Sequence, residues 1–105
     1  MKMENSKKNN SVITDDELYS LDCTIAKFIH PRLIEFRDRF RGRSLPFRDD
    51  GTCMTSEEWV SIINEMIFAM EYVVNQFEIN YEEVNMSRVK YGMKLFSKHF
   101  FDLWD

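Results

Sequence analysis

The chain has 105 residues, of which 44% are hydrophobic and 14% aromatic, with a net charge of −4 and a pI near 5.2. This length and hydrophobicity suit one domain with one packed core and exclude a largely disordered chain. The acidic balance excludes nucleic-acid binding over the whole surface and leaves only a local basic patch. No apolar run approaches the roughly 18 residues that span a bilayer, so no membrane contact is predicted.

The N-terminal residues are polar and lack the apolar stretch of a secretory signal. We therefore predict a flexible polar leader over residues 1–13 and a single helical domain over residues 14–105. The two cysteines, Cys23 and Cys53, are too few for a disulfide framework and suit a reducing compartment. Together these features predict a soluble cytoplasmic protein.

Charge is segregated along the chain. Residues 27–48 contain seven Lys and Arg against two acids, whereas residues 49–87 contain nine acids and no Lys or Arg. An antiparallel helical hairpin would place the basic segment beside the acidic one, so many of the arginines could form internal ion pairs. Alternatively, the basic segment is a binding surface for an anionic partner.

Helix starts are marked by one device used three times, a short polar residue followed three positions later by glutamate. These capping pairs are Thr14–Glu17, Thr55–Glu58 and Asn80–Glu83. The first predicted helix runs from about Asp15 to Arg41, and Pro31 lies in its middle. Because the apolar spacing keeps its phase across the proline, a kink is predicted rather than two helices. The apolar stripe consists of Leu18, Leu21, Ile25, Phe28, Ile29, Leu33, Phe36 and Phe40.

After a turn-rich loop over residues 43–54, a second helix is predicted from about Ser56 to Phe77, apolar on two sides and therefore packed between neighbours. A third is predicted from about Tyr81 to Trp104. Its expected core face consists of Met86, Val89, Met93, Phe96, Phe100 and Leu103. Three long helices with short connections predict an all-α fold, an antiparallel bundle. The second and third helices show more apolar surface than three helices bury, so we expect a homodimer or a higher homo-oligomer.

Some charged residues fall on the apolar face of the first helix. At about 100° per residue, Arg32 lies about 30° from the centre of the stripe, and Asp22 and Arg39 lie about 50° from it. A charge aimed at a core requires a partner or a solvated pocket. One interpretation is therefore an internal ion pair, Arg32 with Glu65 or Asp22 with Arg88. The other is a cavity for an anionic ligand, lined by Arg32 and Arg39 with His30 nearby.

The third helix carries a second polar stripe, opposite its expected core face, that is typical of a solvated surface. The stripe consists of Arg88, Leu95, His99 and Asp102. His99 and Asp102 are three residues apart and could form a hydrogen bond, but no nucleophile accompanies them. The histidines lack zinc-site spacing, and the acids do not reproduce the Glu-x-x-Glu and Glu-x-x-Asp pairs of all-helical nucleotide pyrophosphatases. No metal, cofactor or enzymatic activity is therefore predicted.

The order of three sequence blocks resembles a set of small uncharacterised proteins encoded by tailed bacteriophages. The blocks read HPRLIEFRDRF, TSEEWVSIINEMIFAMEY and RVKYGMKLFSKHFFDLWD. The resemblance covers about residues 18–105, and its most specific pieces are Glu58-Trp59, the run over residues 66–71 and the spaced Gly92, Leu95, Phe96, Phe100, Leu103 and Trp104. It implies a virus-encoded accessory protein in the cytoplasm of an infected bacterium, and it carries over no catalytic residues.

These features favour a non-enzymatic binding protein that sequesters or inhibits a host factor. The partner would be a host bacterial protein or a small anionic nucleotide, captured as an anti-defence signal in an Arg-rich pocket where Trp59 or Phe47 stacks on a base. The candidate binding residues are His30, Arg32, Arg37, Arg39, Arg43, Trp59, Arg88 and His99. Two alternatives remain: a nucleic-acid-associated regulatory factor, which the neighbouring acidity disfavours, and an all-α magnesium-dependent nucleotide hydrolase.

Overall fold

A computed structural model of the chain describes residues 12–75 and 85–105. Four α-helices lie in these ranges: α1 (Asp15–Tyr19), α2 (Leu21–Arg39), α3 (Ser56–Val74) and α4 (Met86–Lys98). A short 3-10 turn over Phe100–Asp102 follows α4. The described residues form no strand beyond one isolated bridge, so the predicted all-α class is confirmed.

Two of the three predicted capping boxes are confirmed. The amide of Glu17 donates to Thr14 Oγ1 at 3.3 Å, and the amide of Thr14 donates back to the Glu17 carboxylate at 2.7 Å. Thr55 and Glu58 form the same pair of bonds at the start of α3, both at 3.1 Å. The Asn80–Glu83 pair lies outside the described residues. The described start of α4 is capped by Asn85, whose side chain accepts from the Arg88 amide.

The first predicted helix is divided in two. Ser20 has a non-helical backbone, with φ −127° and ψ 67°, and separates α1 from α2. The apolar spacing did not reveal this break, because Leu18 and Leu21 keep a helical interval across it. From Leu21 onward α2 continues through Pro31 to Arg39. Gly42 then adopts a left-handed φ of 75°, in keeping with the predicted stop at this glycine.

Helix α3 forms the centre of the core. Trp59, Ile63 and Met66 are its fully buried large side chains, and α3 packs against both α2 and α4. The thiol of Cys23 on α2 donates to the Val73 carbonyl of α3, at an Sγ–O distance of 3.4 Å. The prediction that α3 is packed between neighbours is confirmed, and the broad apolar stripe explains it because both of its sides find a helix to cover them.

The turn-rich loop before α3 is also found where it was predicted. The amide of Gly51 donates to the Arg48 carbonyl at 2.9 Å, and Gly51 has a φ of 90° that favours glycine. A bridge between Phe47 and Cys53 closes the base of this loop. Lys98 at the end of α4 contacts Asp49 at 3.0 Å and fixes the loop to the helix.

The predicted core face of the first helix was wrong in its N-terminal half. Four bulky residues of the expected stripe are exposed: Leu18, Leu21, Ile25 and Phe28. The buried residues of α2 are instead Cys23, Ala26 and Leu33. The smaller Cys23 and Ala26 face α3, and the bulky stripe turns toward solvent beside them.

The predicted core face of the last helix was only partly right. Val89 is buried and Phe96 and Leu103 pack against the core, as expected. Leu95 and His99, expected on a solvated stripe, are buried, whereas Met93 and Phe100 of the expected core face are exposed. The reason is Gly92: a Cβ there would lie 2.2 Å from the Glu65 carbonyl oxygen of α3. Because α4 approaches α3 on its smallest residue, a count of bulky side chains points to the wrong face.

Replacing Gly92 by alanine tests this close approach. Alanine is favoured over glycine in a helix by roughly 1 kcal/mol, yet the clash with the α3 backbone should make Gly92→Ala destabilising by about 1–3 kcal/mol. Urea unfolding measures the change. Ser97→Ala, on the exposed side of the same helix, is the control and should be neutral or slightly stabilising. A Gly92→Ala chain at least as stable as the parent would contradict the packing described.

Candidate functional site

Two arginines form structural ion pairs. Arg48 contacts both carboxylate oxygens of Glu58 and donates to the Cys53 carbonyl at 2.9 Å. Arg88 on α4 donates to the two oxygens of Glu65 on α3 at 2.9 and 3.1 Å. These pairs connect the loop and α4 to α3. For Arg48, the interpretation that arginines of residues 27–48 pair with the acids that follow them is therefore supported. Arg88 lies outside that segment and is paired in the same way.

The arginines of α2 differ from one another in the partners they contact. Arg37 donates to Asp38 and to the side-chain oxygen of Asn64 on α3, both at 2.9 Å. Arg39 forms a 2.7 Å ion pair with Glu35 one turn earlier, and both side chains stay largely exposed. An exposed pair of this kind contributes little to stability, about 0.3–0.5 kcal/mol in helices. Arg39 is therefore available to exchange its partner.

Arg32 is the exception, and both proposed internal pairs were wrong. Glu65 is occupied by Arg88, and Asp22 accepts from the Cys23 amide at 2.8 Å. The Arg32 guanidinium lies 3.7 Å from the centre of the Phe28 ring and donates to the Phe28 carbonyl at 2.9 Å. Among the described residues, no carboxylate lies within ion-pair distance of it. Arg32 is thus an ordered, exposed cation without a counter-ion in this part of the chain.

Beside Arg32 lies an apolar cleft between α2 and the end of α4, with a volume of about 170 Å³. It is lined by Ile29, Arg32, Leu33 and Phe36 of α2 and by Phe96, Phe100 and Leu103. A shallower depression of about 310 Å³ adjoins it and shares Arg32 and Phe36. Its other lining residues are Glu35, Arg39, Phe40 and Asp105. We call the two together the α2/α4 cleft.

Asp105, which lines the shallower part of the α2/α4 cleft, is held by backbone amides. The amides of Arg41 and Arg43 donate to the two carboxylate oxygens of Asp105 at 2.8 and 3.0 Å, around the left-handed Gly42. Successive amides in such a turn form a concave anion site. The Arg41 amide is the main cause that lowers the pKa of the Asp105 side chain. This contact holds the residues after α4 against the end of α2.

Of the two predicted aromatic platforms, Phe47 is 68% exposed, whereas Trp59 is not available to a ligand. Trp59 is 0% exposed, and its ring packs edge-on against His99, with ring centres 5.4 Å apart. His99 is 4% exposed, and its Nδ1 lies 2.9 Å from Asp102, so the hydrogen-bonded pair expected from the sequence is present. The assignment of Trp59 and His99 to a binding surface is corrected, because both are part of the core.

The predicted binding residues are therefore not brought together. Of them, Arg32 and Arg39 line the α2/α4 cleft, and Arg43 lies near it through the contact between its amide and Asp105. Arg37 and Arg88 bind α3. His30 is half-buried, and its Nε2 and the Trp59 Nε1 are buried with no hydrogen-bond partner among the described residues.

Sequence reasoning missed the apolar walls of the cleft. Phe36, Phe100 and Leu103 were assigned to a closed core, whereas the structure leaves a cleft between them. One signal did point here: Arg32 falls close to the centre of an apolar stripe, which a fully buried face does not tolerate.

Two other types of site are not found in the same ranges. Within residues 12–75 and 85–105, no three His, Cys, Asp or Glu side chains are grouped so that they could hold a metal ion. In the same part of the chain, no helix is long and apolar enough to cross a membrane.

Comparison of the chain with protein-family models, with curated proteins and with solved structures finds no match. The proposed function consequently depends on the geometry of the α2/α4 cleft.

The Arg48–Glu58 pair predicts a dependence of stability on acid. The Arg48 guanidinium, followed by the Thr55 amide, lowers the pKa of Glu58 from 4.5 to about 2. A lowered pKa in the folded state means that this stabilisation is present above about pH 4.5 and is lost as the pH falls toward 2. Glu58→Gln should therefore flatten the dependence of the unfolding free energy on pH in this window.

The measurement is denaturant unfolding at a series of pH values between 2 and 6. Glu57→Gln is the matched control, because it removes a neighbouring first-turn carboxylate that does not contact Arg48. An unchanged slope in Glu58→Gln, or an equal flattening in Glu57→Gln, would show that the ion pair is not responsible.

Proposed function

We propose that the chain is a non-enzymatic binding protein whose α2/α4 cleft takes an apolar, acidic segment of a partner protein. In line with the phage resemblance, it would act as a virus-encoded accessory protein that occupies and so inhibits or sequesters a host factor in the cytoplasm of an infected bacterium. The fold proposed to present this cleft is the antiparallel bundle of three long helices with a kink at Pro31.

The observation that carries the proposal is Arg32, a cation without a described counter-ion at the edge of an apolar cleft. A guanidinium binds a carboxylate through two charge-assisted hydrogen bonds. The contact with the Phe28 ring already fixes its position, so less side-chain entropy is lost when a partner binds. A partner that combines apolar side chains with a carboxylate satisfies both features of the cleft.

The apolar walls suit a helical or extended segment of a protein. Phe36 of α2 and Phe100 after α4 contribute rings to the two walls of the cleft, and Phe100 is 53% exposed. Covering such rings contributes most of the binding energy at protein interfaces, whereas charges at the rim mainly select the partner. The cleft therefore supplies affinity through its walls and selectivity through Arg32.

A small anionic nucleotide is a second candidate, favoured by the amides of Arg41 and Arg43. They already bind a carboxylate of the chain, and a phosphate could take its place. A nucleotide would then use Arg39 and the Phe36 ring in place of the buried Trp59.

Fluorescence anisotropy with a labelled peptide tests the leading proposal. The probe is an amphipathic peptide of about 16 residues, leucine on one face and glutamate beside it. A second peptide carries lysine at the glutamate positions. The acidic peptide should bind saturably and the basic peptide should not. Arg32→Glu should weaken acidic-peptide binding by roughly 10- to 100-fold, since a hydrogen bond to a charged group contributes about 1.5–3 kcal/mol.

Lys94→Glu is the control, because it reverses the charge of an exposed base on α4 outside the lining of the cleft. Equal binding of the acidic peptide by the parent and by Arg32→Glu would contradict the proposal. Thermal stabilisation by nucleotides such as ATP, lost in Arg39→Glu, together with no peptide binding, would favour the second candidate instead.

A further inference from the structure

Helix α1 has the apolar and acidic character proposed for the segment that binds the cleft. Helix α1 has no buried residue, and its first turn contains Asp15, Asp16 and Glu17. Beside these acids, Leu18 is 57% exposed and Tyr19 is 90% exposed. Helix α1 therefore offers carboxylates, which suit Arg32, and exposed apolar side chains, which suit the apolar residues beside Arg32.

We propose that the segment docking at the Arg32 edge of the α2/α4 cleft is α1 of a second copy of this chain, so that two copies associate reciprocally. This inference rests on the proposed function of the cleft. It adds the identity of one partner, a second copy, and it assigns a role to the bulky residues that the fold leaves uncovered.

The same copy's α1 cannot reach its own Arg32. Only Ser20 separates α1 from α2, and the Thr24 hydroxyl near the start of α2 donates to the Glu17 carbonyl of α1 at 2.9 Å. At 1.5 Å per residue, Arg32 lies roughly 18 Å along α2 from Ser20. A five-residue helix tied to the start of α2 does not span that distance and also pack against the cleft. Docking must therefore come from another molecule.

A row of exposed residues leads along α2 from the end of α1 to Arg32. Leu21, Ile25 and Phe28 are all exposed and follow one another at intervals of three or four residues, and Arg32 continues the series. This spacing places the four side chains along one face of α2. Leu18, which is also exposed, precedes this stripe on α1, across the non-helical backbone of Ser20.

Two-fold symmetry makes this face complementary to itself. If two copies place their stripes antiparallel about an axis between Leu21 and Ile25, Leu21 of each copy faces Ile25 of the other. Leu18 then faces Phe28, and the acids of α1 arrive beside Arg32. A parallel arrangement would instead place Arg32 beside Arg32. The charge pattern therefore selects the antiparallel, isologous interface.

A charge-swap experiment on the full chain tests the interface. Sedimentation velocity over a range of concentrations should show reversible dimers for the parent. Arg32→Glu alone and Asp15→Lys with Asp16→Lys should each raise the dissociation constant at least 10-fold, because each places like charges together. Glu17 is left unchanged so that the capping box of α1 remains intact.

Mixing the two variants should restore dimers of parental affinity. In the mixed dimer, the introduced glutamate of one copy meets the introduced lysines of the other at one contact. At the second contact, the native Arg32 of the lysine variant meets the native Asp15 and Asp16 of the glutamate variant. Both symmetric contacts therefore regain opposite charges, which neither variant achieves alone.

Circular dichroism and thermal unfolding of each variant confirm that the fold persists. Leu18→Ser is a second variant that should weaken dimers without any change in charge. Lys94→Glu is the control and should dimerise like the parent.

Three results would overturn the inference: a monomeric parent at all concentrations, variants that dimerise as the parent does, or a mixture that stays monomeric. Its failure can be distinguished from failure of the proposed function. If the parent is monomeric but binds the acidic peptide through Arg32, the proposed function of the cleft stands and only the second copy is excluded as its partner. Loss of both peptide binding and dimers would remove the two proposals together.

Discussion

The close approach of α4 to α3 at Gly92 determines which side chains of α4 face the core and which are exposed. With no side chain at Gly92, the backbone of α4 comes against the Glu65 carbonyl, and Val89 and Leu95 turn into the core. Met93 and Phe100 are consequently rotated outward. Because α2 packs on the other side of α3, a cleft remains between α2 and the end of α4. A larger residue at Gly92 would move α4 away and change both walls of this cleft.

Three arginines contact α3 and stabilise the fold, whereas Arg32 contacts no described carboxylate. Arg48 and Arg88 contact glutamates of α3, and Arg37 contacts Asn64 of the same helix. These contacts explain part of the charge segregation, since Glu58 and Glu65 of α3 receive arginines from the elements on either side. Arg32 differs because it stacks on an aromatic ring at the edge of an apolar cleft instead of meeting a described carboxylate. We therefore assign Arg32 to the binding of a carboxylate from another molecule.

Local rules of sequence predicted the local structure well. Two capping boxes, the broad stripe of α3 and the turn at Gly51 depend on neighbouring residues, and each is present. The break at Ser20 and the orientation of α4 depend on how helices approach one another, which side-chain periodicity does not contain. Trp59 was assigned to a ligand because aromatic type alone does not distinguish a core residue from a platform. The position of Arg32 within an apolar stripe was the one sequence signal of the cleft, although the partners proposed for it were wrong.

Methyl NMR of the isoleucine, leucine and valine side chains tests the central claim, that the α2/α4 cleft is the binding surface, most directly. Titration with the acidic peptide should shift the methyl signals of Ile29, Leu33 and Leu103, which line the cleft. Val60, on a separate shallow surface of α3, should remain unchanged. Shifts centred on Val60, or no shift at Ile29, Leu33 and Leu103 at saturating peptide, would contradict the account.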